Sequence, residues 1–264
     1  MNYISEDFHL HYLPSYTLYV QSNLHRDHIL VLGPAKDVLV NLEYDNENPP
    51  AEAAKLLSLP FEKAYVSLPH QHLIWVPSEV FEPVDLPLYT DHFLDQNVDR
   101  IFYKEIEDQG IVALYQIDAI LLGRWKRMFS LAHIYPTFLP VINNAVNNMS
   151  AEGEIVGVHI YGSVADIFLF MNNEIRLYNT FEIQTPDDLS YYILSLMKNF
   201  GIEGRIPKIL LSGASKDSEW GERLSYYCTT LEVLQGTISG QAENPQVRES
   251  IAELNILVDL SVCE

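Results

Sequence analysis

Two glycine-containing turns carry the residues of this sequence best suited to contact a ligand. Tyr161-Gly162-Ser163 separates two apolar runs, and Ser212-Gly213-Ala214-Ser215 lies between an apolar run and an amphipathic one. A turn of small residues from strand to helix lets the backbone approach a ligand at the helix N-terminus. Such a turn is also an ordinary helix cap, and for this motif taken alone we favour the cap.

Four of the nine histidines have the spacing of paired metal ligands. His9 and His11, like His70 and His72, occupy alternate positions, which on a strand point to the same side. Zinc sites use three or four ligands, and no third ligand follows either pair at a sequence spacing typical of zinc sites. We therefore expect partly exposed polar histidines and no metal.

The sequence contains no recognisable catalytic motif. It has no G-x-S-x-G elbow, no G-x-x-x-x-G-K-[ST] phosphate loop and no G-x-G-x-x-G fingerprint. Cys228 falls on an apolar stripe with helical spacing, which favours a packed thiol over a nucleophile. With 36 acidic residues in the chain, no pair of carboxylates can be singled out. We expect no catalytic residue.

The charge of the chain limits the kinds of partner it can bind. A formal net charge of −20 repels nucleic acid and anionic lipid and favours basic protein partners. The local exception is Arg124, Lys126 and Arg127 around Trp125. We interpret this cluster as a solvated helix face, with an anion or partner site as the alternative. The oligomeric state is left open.

The composition is that of a folded cytoplasmic protein. Hydrophobic residues make up 48% and charged residues 20% of the chain, close to the globular average. Met1 to Leu10 lacks the basic and apolar regions of a signal peptide, and no stretch approaches the ~18 apolar residues of a membrane span. Two cysteines are too few for a disulfide framework. We expect a cytoplasmic location without membrane insertion.

The first half is predicted to begin with an antiparallel meander, followed by a helix and a buried strand. β-branched apolar runs between turn residues predict these elements, which are Tyr16 to Val20, Ile29 to Leu32, Val38 to Tyr44, the helix Ala51 to Leu59 and the strand Ala64 to Leu68. Residues 69–117 then form an insertion, in which Arg100 to Glu105 and Ile111 to Tyr115 predict a hairpin. Helices are predicted over Asp118 to Phe129 and after Tyr135-Pro136.

The same order restarts after Ser150 to Glu154, where we place the boundary between residues 1–149 and 150–264. The second meander comprises Ile155 to Ile160, Ile167 to Met171 and Ile175 to Phe181, and the last two strands are joined by Asn172-Asn173, which suit a tight hairpin turn.

A helix from about Asp187 to Phe200 is the clearest element of the second half. Thr185 and Asp188 form a capping box at its start, and Gly201 ends it. A strand over Lys208 to Leu211 follows. A further amphipathic helix is predicted from a stripe of apolar residues, namely Trp220, Leu224, Tyr227, Cys228 and Leu231. The pattern of Glu253 to Glu264 fits either a strand or a helix.

This repeated order, with the two glycine turns in the second copy, resembles the actin-like ATPase superfamily. Within it, the chain looks like an uncharacterised bacterial family, distantly similar to the actin-like proteins of pilus assembly and secretion. The stretches that carry this resemblance are Asn179-Thr180-Phe181, Thr185-Pro186-Asp187-Asp188, Leu211-Ser212-Gly213 and Cys263-Glu264. The resemblance implies an α/β fold of two related, ribonuclease-H-like halves, each with a five-stranded mixed sheet and flanking helices. It also implies that the C-terminal stretch from about Leu254 is helical.

The residues that bind nucleotide in active relatives are largely replaced here. Their second phosphate turn reads D-x-G-G-G-x-T-D, whereas this chain has His159-Ile160-Tyr161-Gly162-Ser163-Val164-Ala165-Asp166. The D-x-G turn expected after the first strand is Gln21-Ser22-Asn23. The adenosine-side turn is partly kept as Ser212-Gly213-Ala214, with Ser215 after it. These residues are the vestigial nucleotide-cleft candidates.

Phosphoryl transfer needs a bound metal and donors that neutralise the phosphates. His159 replaces the Asp that helps place the metal, and Tyr161 is bulky where the backbone should approach a phosphate. We expect no cofactor and a pseudo-ATPase that acts as an interaction module, contacting a protein partner through its cleft or its insertion. The alternative is a divergent ATPase or kinase that binds Mg-ATP.

Overall fold

The computed structural model describes residues 2–149, 153–236 and 255–263. These residues form two compact units. The N-terminal unit consists of Asn2–Pro34 and Val38–Leu139, and the C-terminal unit consists of Ala35–Asp37 and the described residues from Pro140 onward. The boundary that we predicted at 150–154 falls mainly on residues 150–152, which lie outside the described residues, and it stays a prediction.

The N-terminal unit is built on a mixed sheet of six strands in the order β1-β4-β3-β2-β5-β9. Adjacent strands from β1 through β4 and β3 to β2 are antiparallel, and β5 and β9 continue the sheet parallel to β2. The strands are β1 (Tyr3–Ile4), β2 (Thr17–Ser22), β3 (Arg26–Leu32), β4 (Val38–Asp45), β5 (Lys63–Leu68) and β9 (His133–Pro136). Its α-helices are α1 (Ala51–Leu57), α2 (Ala119–Met128) and the beginning of α3 (Phe138–Asn147).

The insertion forms a separate three-stranded antiparallel sheet in the order β6-β8-β7. Its strands are β6 (His70–Pro77), β7 (Phe102–Ile106) and β8 (Ile111–Ile117), so the predicted hairpin is confirmed. Buried apolar residues from the sheet and from the segment between β6 and β7 form a small core, namely Val76, Phe93, Ile101, Val112 and Leu114.

The C-terminal unit contains a five-stranded sheet in the order β12-β11-β10-β13-β14. Its strands are β10 (Glu154–Tyr161), β11 (Val164–Met171), β12 (Glu174–Glu182), β13 (Ile206–Ser212) and β14 (Cys228–Val233). β12, β11 and β10 are antiparallel, and β13 and β14 are parallel to β10 and to each other. Its described helices are the remainder of α3, from Pro140 onward, α4 (Pro186–Phe200), α5 (Glu219–Ser225) and α6 (Asn255–Asp259).

The two sheets share one topology. The order β4-β3-β2-β5-β9 matches β12-β11-β10-β13-β14 strand for strand, with the same directions. The duplicated fold predicted from the sequence is therefore confirmed, and the two-residue strand β1 is an addition to the first copy. Five strands were predicted in each sheet, so the six-stranded first sheet corrects that number.

The local signals that predicted the second copy are also confirmed. Asn172 and Asn173 adopt the left-handed conformation, with φ of 53° and 64°. The Thr185 hydroxyl accepts from the Asp188 amide while the Asp188 carboxylate accepts from the Thr185 amide, which satisfies amides that the helix leaves unpaired. Gly201 ends α4 with φ of 67°. Residues 255–262 are helical, as the resemblance implied, and Leu254 lies outside the described residues.

The segment from Cys228 to Leu231 was predicted wrongly. It belongs to β14, which pairs with β13, and α5 ends at Ser225. Leu224, Cys228 and Leu231 are all buried, and their spacing fits a helical stripe. The hydrogen bonds to β13, a tertiary feature, decide in favour of the strand.

Packing of α4 on the second sheet gives a direct test of the predicted helix phase. Leu196 is buried among core residues that include Ile193 and Ile167, so Leu196→Ala should lower the free energy of unfolding by about 2 kcal/mol. Leu194 on the same helix is half exposed, and Leu194→Ala should cost below about 0.5 kcal/mol. Urea unfolding of both variants measures the difference, and equal costs would show that the assigned face is wrong.

Candidate functional site

Four neighbouring strands of the C-terminal unit place polar residues in one row across the sheet. Thr180 on β12 is opposite Asp166 on β11, Asp166 is opposite His159 on β10, and His159 is opposite Ser212 on β13. Residues directly opposite each other share a sheet face. Ile160, Ile167 and Leu211 are next to these residues along the strands and therefore point to the opposite face. They belong to the core that includes α4, so the polar row lies on the sheet face away from α4. The fold thus brings together residues from both predicted glycine-turn regions.

His159 is a neutral, buried histidine. Its side chain is 3% exposed, its Nδ1 lies 2.9 Å from the Ser212 hydroxyl, and its ring stacks on Tyr161 with centroids 5.1 Å apart. Burial lowers the pKa of His159 to about 3, because the charged imidazolium would lose its hydration. The other ring nitrogen, Nε2, has no hydrogen-bond partner among the described residues. At neutral pH, His159 is therefore uncharged. It does not supply the negative charge that the aligned Asp provides in active relatives.

Asp166 is the one carboxylate of the aligned motif that this chain keeps, and three hydroxyl groups surround it. Its Oδ1 accepts from Thr180 at 2.6 Å and from Tyr161 at 3.3 Å, and its Oδ2 accepts from Tyr178 at 2.8 Å. Burial raises the pKa of the Asp166 carboxyl to about 6, although the three hydrogen bonds oppose the shift. Its oxygens are satisfied within the sheet, which makes Asp166 a structural acceptor.

The Tyr161-Gly162-Ser163 turn closes a tight hairpin. Tyr161 pairs with Val164, Gly162 has φ of 61°, and the Ser163 carbonyl accepts from the Ile183 amide at 2.8 Å. The Tyr161 ring lies over His159, and its hydroxyl donates to Asp166. Burial, followed by the Asp166 charge, raises the pKa of Tyr161 well above its usual value. The side chain therefore stays protonated and completes the network around Asp166.

The Ser212-Gly213-Ala214-Ser215 turn needs its glycine for internal packing. Gly213 has φ of 76°, and a Cβ at this position would lie 1.9 Å from the Ile160 carbonyl oxygen. Ala214 is buried, and the Ser215 carbonyl accepts from the Ser218 hydroxyl at 2.6 Å. Ser218, not Ser215, caps α5. The close approach of two backbones therefore explains the glycine of this turn, and the helix cap that we favoured from the sequence lies at Ser218 instead.

The first-strand turn Gln21-Ser22-Asn23 occupies the corresponding place in the N-terminal unit. Gln21 is opposite His28 and Ser67, as His159 is opposite Asp166 and Ser212. The topologically equivalent positions in the two sheets therefore hold an amide and an imidazole, and neither holds a carboxylate.

Asn23 closes the hairpin after β2 with its own side chain. Its Oδ1 accepts from the amides of His25 and Arg26, at 2.8 Å each. Two backbone donors of this turn are thereby used internally, in the Asx-turn manner. They are not free to bind the oxygens of a phosphate.

A buried ion pair beside this turn was not predicted from the sequence. Asp27 is fully buried, accepts from the Ser22 hydroxyl at 2.6 Å and forms a bidentate pair with Arg124. The Arg124 guanidinium also lies 4.9 Å from the Trp125 ring. Arg124 therefore does not belong to a solvated face, whereas Lys126 and Arg127 are exposed. Asp27 and Arg124 are 97 residues apart, so no local pattern joins them.

Neither histidine pair lies on a regular strand as its spacing suggested. His9 and His11 lie at the start of the 3-10 helix Leu10–Ser15 and not on a strand, as their alternation had suggested. His70 is on β6, while His72 has φ of 49° at an irregularity of the same strand. Over residues 2–149, 153–236 and 255–263, no group of three or more His, Cys, Asp or Glu side chains is placed to hold a metal ion.

The described helices include none that is both long and apolar enough to cross a membrane. Cys228 and Cys263 are both buried and carry free thiols.

Many solved structures are similar to this chain, including the following two. A Bacteroides thetaiotaomicron protein with an actin-like ATPase fold and unknown function matches with a TM-score of 0.67 and 17% identity, covering 95% of this chain and 98% of that one. The PilM-PilN type IV pilus biogenesis complex matches with a TM-score of 0.62 and 10% identity, covering 93% of this chain and 97% of that one. At these identities the likeness shows the fold, which is that of actin-like ATPases.

Sequence comparison assigns the chain to a family whose function is unknown. No curated protein matches the chain. A family model described as "Protein of unknown function (DUF3822)" matches residues 8–231. Because that match spans most of the sequence, the chain belongs to the DUF3822 family.

Proposed function

We propose that this protein is a catalytically inactive actin-like protein that acts as a cytoplasmic protein-interaction module. The observation that carries this proposal is His159, a buried neutral imidazole at the position aligned with the metal-placing Asp of active relatives. Phosphoryl transfer depends on Mg²⁺ to neutralise the phosphates, and a buried imidazole is a poor substitute for a carboxylate in a magnesium site.

The other candidate residues support the same conclusion. Gln21 replaces the carboxylate at the equivalent position of the N-terminal unit, and Asn23 uses two turn amides internally. Asp166 is fully engaged with three hydroxyl groups. The net charge of −20 is unfavourable for a triphosphate without a local cation or metal to offset it.

The insertion offers a surface on which a protein partner could be held. Its segment between β6 and β7 exposes four large aliphatic side chains, namely Val80, Val84, Leu88 and Leu94. Six acidic residues are interspersed with them, namely Glu79, Glu82, Asp85, Asp91, Asp95 and Asp99. An exposed apolar surface rimmed by polar residues is a candidate interaction site, and these charges favour a basic partner. A similar structure, that of PilM, was solved in complex with PilN, which agrees with an interaction role.

Phosphate release by the purified full-length protein tests the proposal. We expect no ATP hydrolysis above background with Mg²⁺, Mn²⁺ or Ca²⁺, and no turnover after His159→Asp, because Tyr161 and Gln21 remain. Asp166→Asn is the matched variant, since it removes the remaining carboxylate of the motif while keeping its shape. Turnover in the parent that disappears in Asp166→Asn would contradict the proposal.

The alternative function is that of a divergent ATPase or kinase that binds Mg-ATP. The observation in its favour is the Ser212-Gly213-Ala214 turn, which keeps the left-handed glycine and the strand-to-helix position of an adenosine-side motif. Isothermal calorimetry with ATP, with and without Mg²⁺, separates the two functions. A micromolar dissociation constant that requires Mg²⁺ would favour the alternative, and the absence of heat would favour the inactive module.

A further inference from the structure

A groove of about 320 Å³ lies between β12 and α4, on the sheet face opposite the polar row of the candidate site. Ligand pockets in proteins range from about 300 to 1,000 Å³, so this groove has room for a small organic molecule. Leu177, Asn179 and Phe181 occupy alternate positions of β12 and line the groove from the sheet. None of the lining residues is one of the vestigial nucleotide-cleft candidates.

Aromatic rings form the apolar wall of this groove. Phe181 from β12 and Tyr192 from α4 stack with centroids 4.1 Å apart, and the Tyr191 ring stands at 71° to the ring of Tyr192. Phe200 extends the wall along α4. Tyr191 is 67% exposed, so a ligand reaches the wall directly from solvent. Such a wall favours a ligand with a flat ring, which packs against the faces and edges of aromatic side chains.

Three polar side chains interrupt the aromatic wall. They are Asn179 on β12, and Ser195 and Asn199, which lie one turn apart on α4. None of the three side chains has a hydrogen-bond partner within the described part of the chain, so their donors and acceptors are available to a ligand. A carboxamide presents a donor and an acceptor side by side. This arrangement is complementary to the edge of a nucleobase, as in the bidentate pairing of Asn with adenine.

The charge of the groove indicates the charge of its ligand. The described residues that line it include no Asp, Glu, Lys, Arg or His. A phosphate group bound there would have no cation to neutralise it, and the net charge of −20 on the chain would repel it further. A cationic ligand would find no carboxylate in the lining to pair with. The ligand that matches this lining is therefore uncharged.

We infer that the groove between β12 and α4 binds an uncharged nucleobase or nucleoside. The base packs its ring against the aromatic wall, and its polar edge exchanges hydrogen bonds with the carboxamides of Asn179 and Asn199. This site lies on the other sheet face from His159 and Asp166. It goes beyond the proposed interaction role and does not depend on whether the protein hydrolyses ATP.

Saturation-transfer NMR and calorimetry with adenosine, guanosine, cytidine and uridine test the inference on the full-length protein. We expect at least one nucleoside to bind saturably, with the strongest transfer at its base protons. The matching 5′-monophosphate should bind at least threefold more weakly at low ionic strength, because its charge is not neutralised in the groove. Methyl glucoside, an uncharged ring without a flat aromatic face, should show no saturable binding.

Substitutions in the groove locate the binding site. Tyr191→Ala and Asn179→Ala should each weaken binding of that nucleoside at least fivefold, and both side chains are exposed, so neither change removes core packing. Tyr226→Ala removes a similarly exposed tyrosine elsewhere in the C-terminal unit and should leave binding unchanged. Gln21→Ala alters a nucleotide-cleft candidate and should also have no effect.

Four results would each overturn the inference. They are no saturable binding of any nucleoside, binding unchanged in both Tyr191→Ala and Asn179→Ala, loss of binding in Gln21→Ala, and methyl glucoside or the monophosphate binding as tightly as the nucleoside. ATP turnover is assayed on the same preparations, so failure of the inactive-module proposal is recognised separately.

Discussion

Replacement of Arg124 by methionine is expected to lower the free energy of unfolding by about 3 kcal/mol, because it leaves a buried carboxylate without its cation. Asp27 is fully buried and receives hydrogen bonds from Ser22 and Arg124. The Arg124 side chain is 28% exposed, so we expect a loss of stability near the low end of the range for broken buried ion pairs. Urea denaturation at pH 7 measures the effect.

Two further variants separate the ion pair from general effects of charge. Lys126→Met removes an exposed cation from the same helix and should change the free energy of unfolding by less than about 0.5 kcal/mol. Asp27→Asn combined with Arg124→Met removes both charges and should recover much of the loss, since a neutral amide is less costly to bury. A single Arg124→Met variant as stable as Lys126→Met would show that the pair contributes nothing.

His159 is expected to make the protein lose stability as the pH falls below about 6.5. Its pKa in the folded protein is about 3, whereas an unfolded histidine has a pKa near 6.5. Between these values the unfolded state binds a proton that the folded state does not, so the stability present above pH 6.5 is lost on acidification. From pH 7 to pH 4.5 this single group should cost about 2–3 kcal/mol.

Comparison with His159→Gln isolates this effect. His70, whose pKa burial lowers to about 4, acts in the same direction. Asp166, whose pKa is raised to about 6, acts in the opposite direction, because the folded state binds the proton more tightly and stability is lost as the pH rises through this range. Both groups remain in the variant, so their contributions to the pH dependence largely cancel when the variant is compared with the parent. Equal pH dependence of unfolding in the parent and in His159→Gln would contradict a buried neutral His159.

Much of the fold is present in local patterns of the sequence. The capping box at Thr185 and Asp188, the Asn172-Asn173 turn and the stripe of α4 each depend on residues within a few positions of one another. These elements could be predicted because the interactions that stabilise them also join residues close in sequence. The repetition of this order then predicted the duplicated topology.

Strands that depend on distant partners were predicted poorly. β1 and β9 are short, and their backbone groups are satisfied by β4 and β5, far away in the sequence. The spacing of Leu224, Cys228 and Leu231 predicted a helix over residues that form β14. Only the available edge of β13 distinguishes the two.

The sequence by itself determined which residue types stand at the candidate site, including His159 and Tyr161 in place of Asp and Gly, and it determined the acidity of the chain. The tertiary structure decided what these residues do. It aligned Thr180, Asp166, His159 and Ser212 across four strands, and it joined Asp27 to Arg124. The physical reason is that desolvation and hydrogen bonding to remote partners, which set the charge of a buried group, arise only when the sheets assemble.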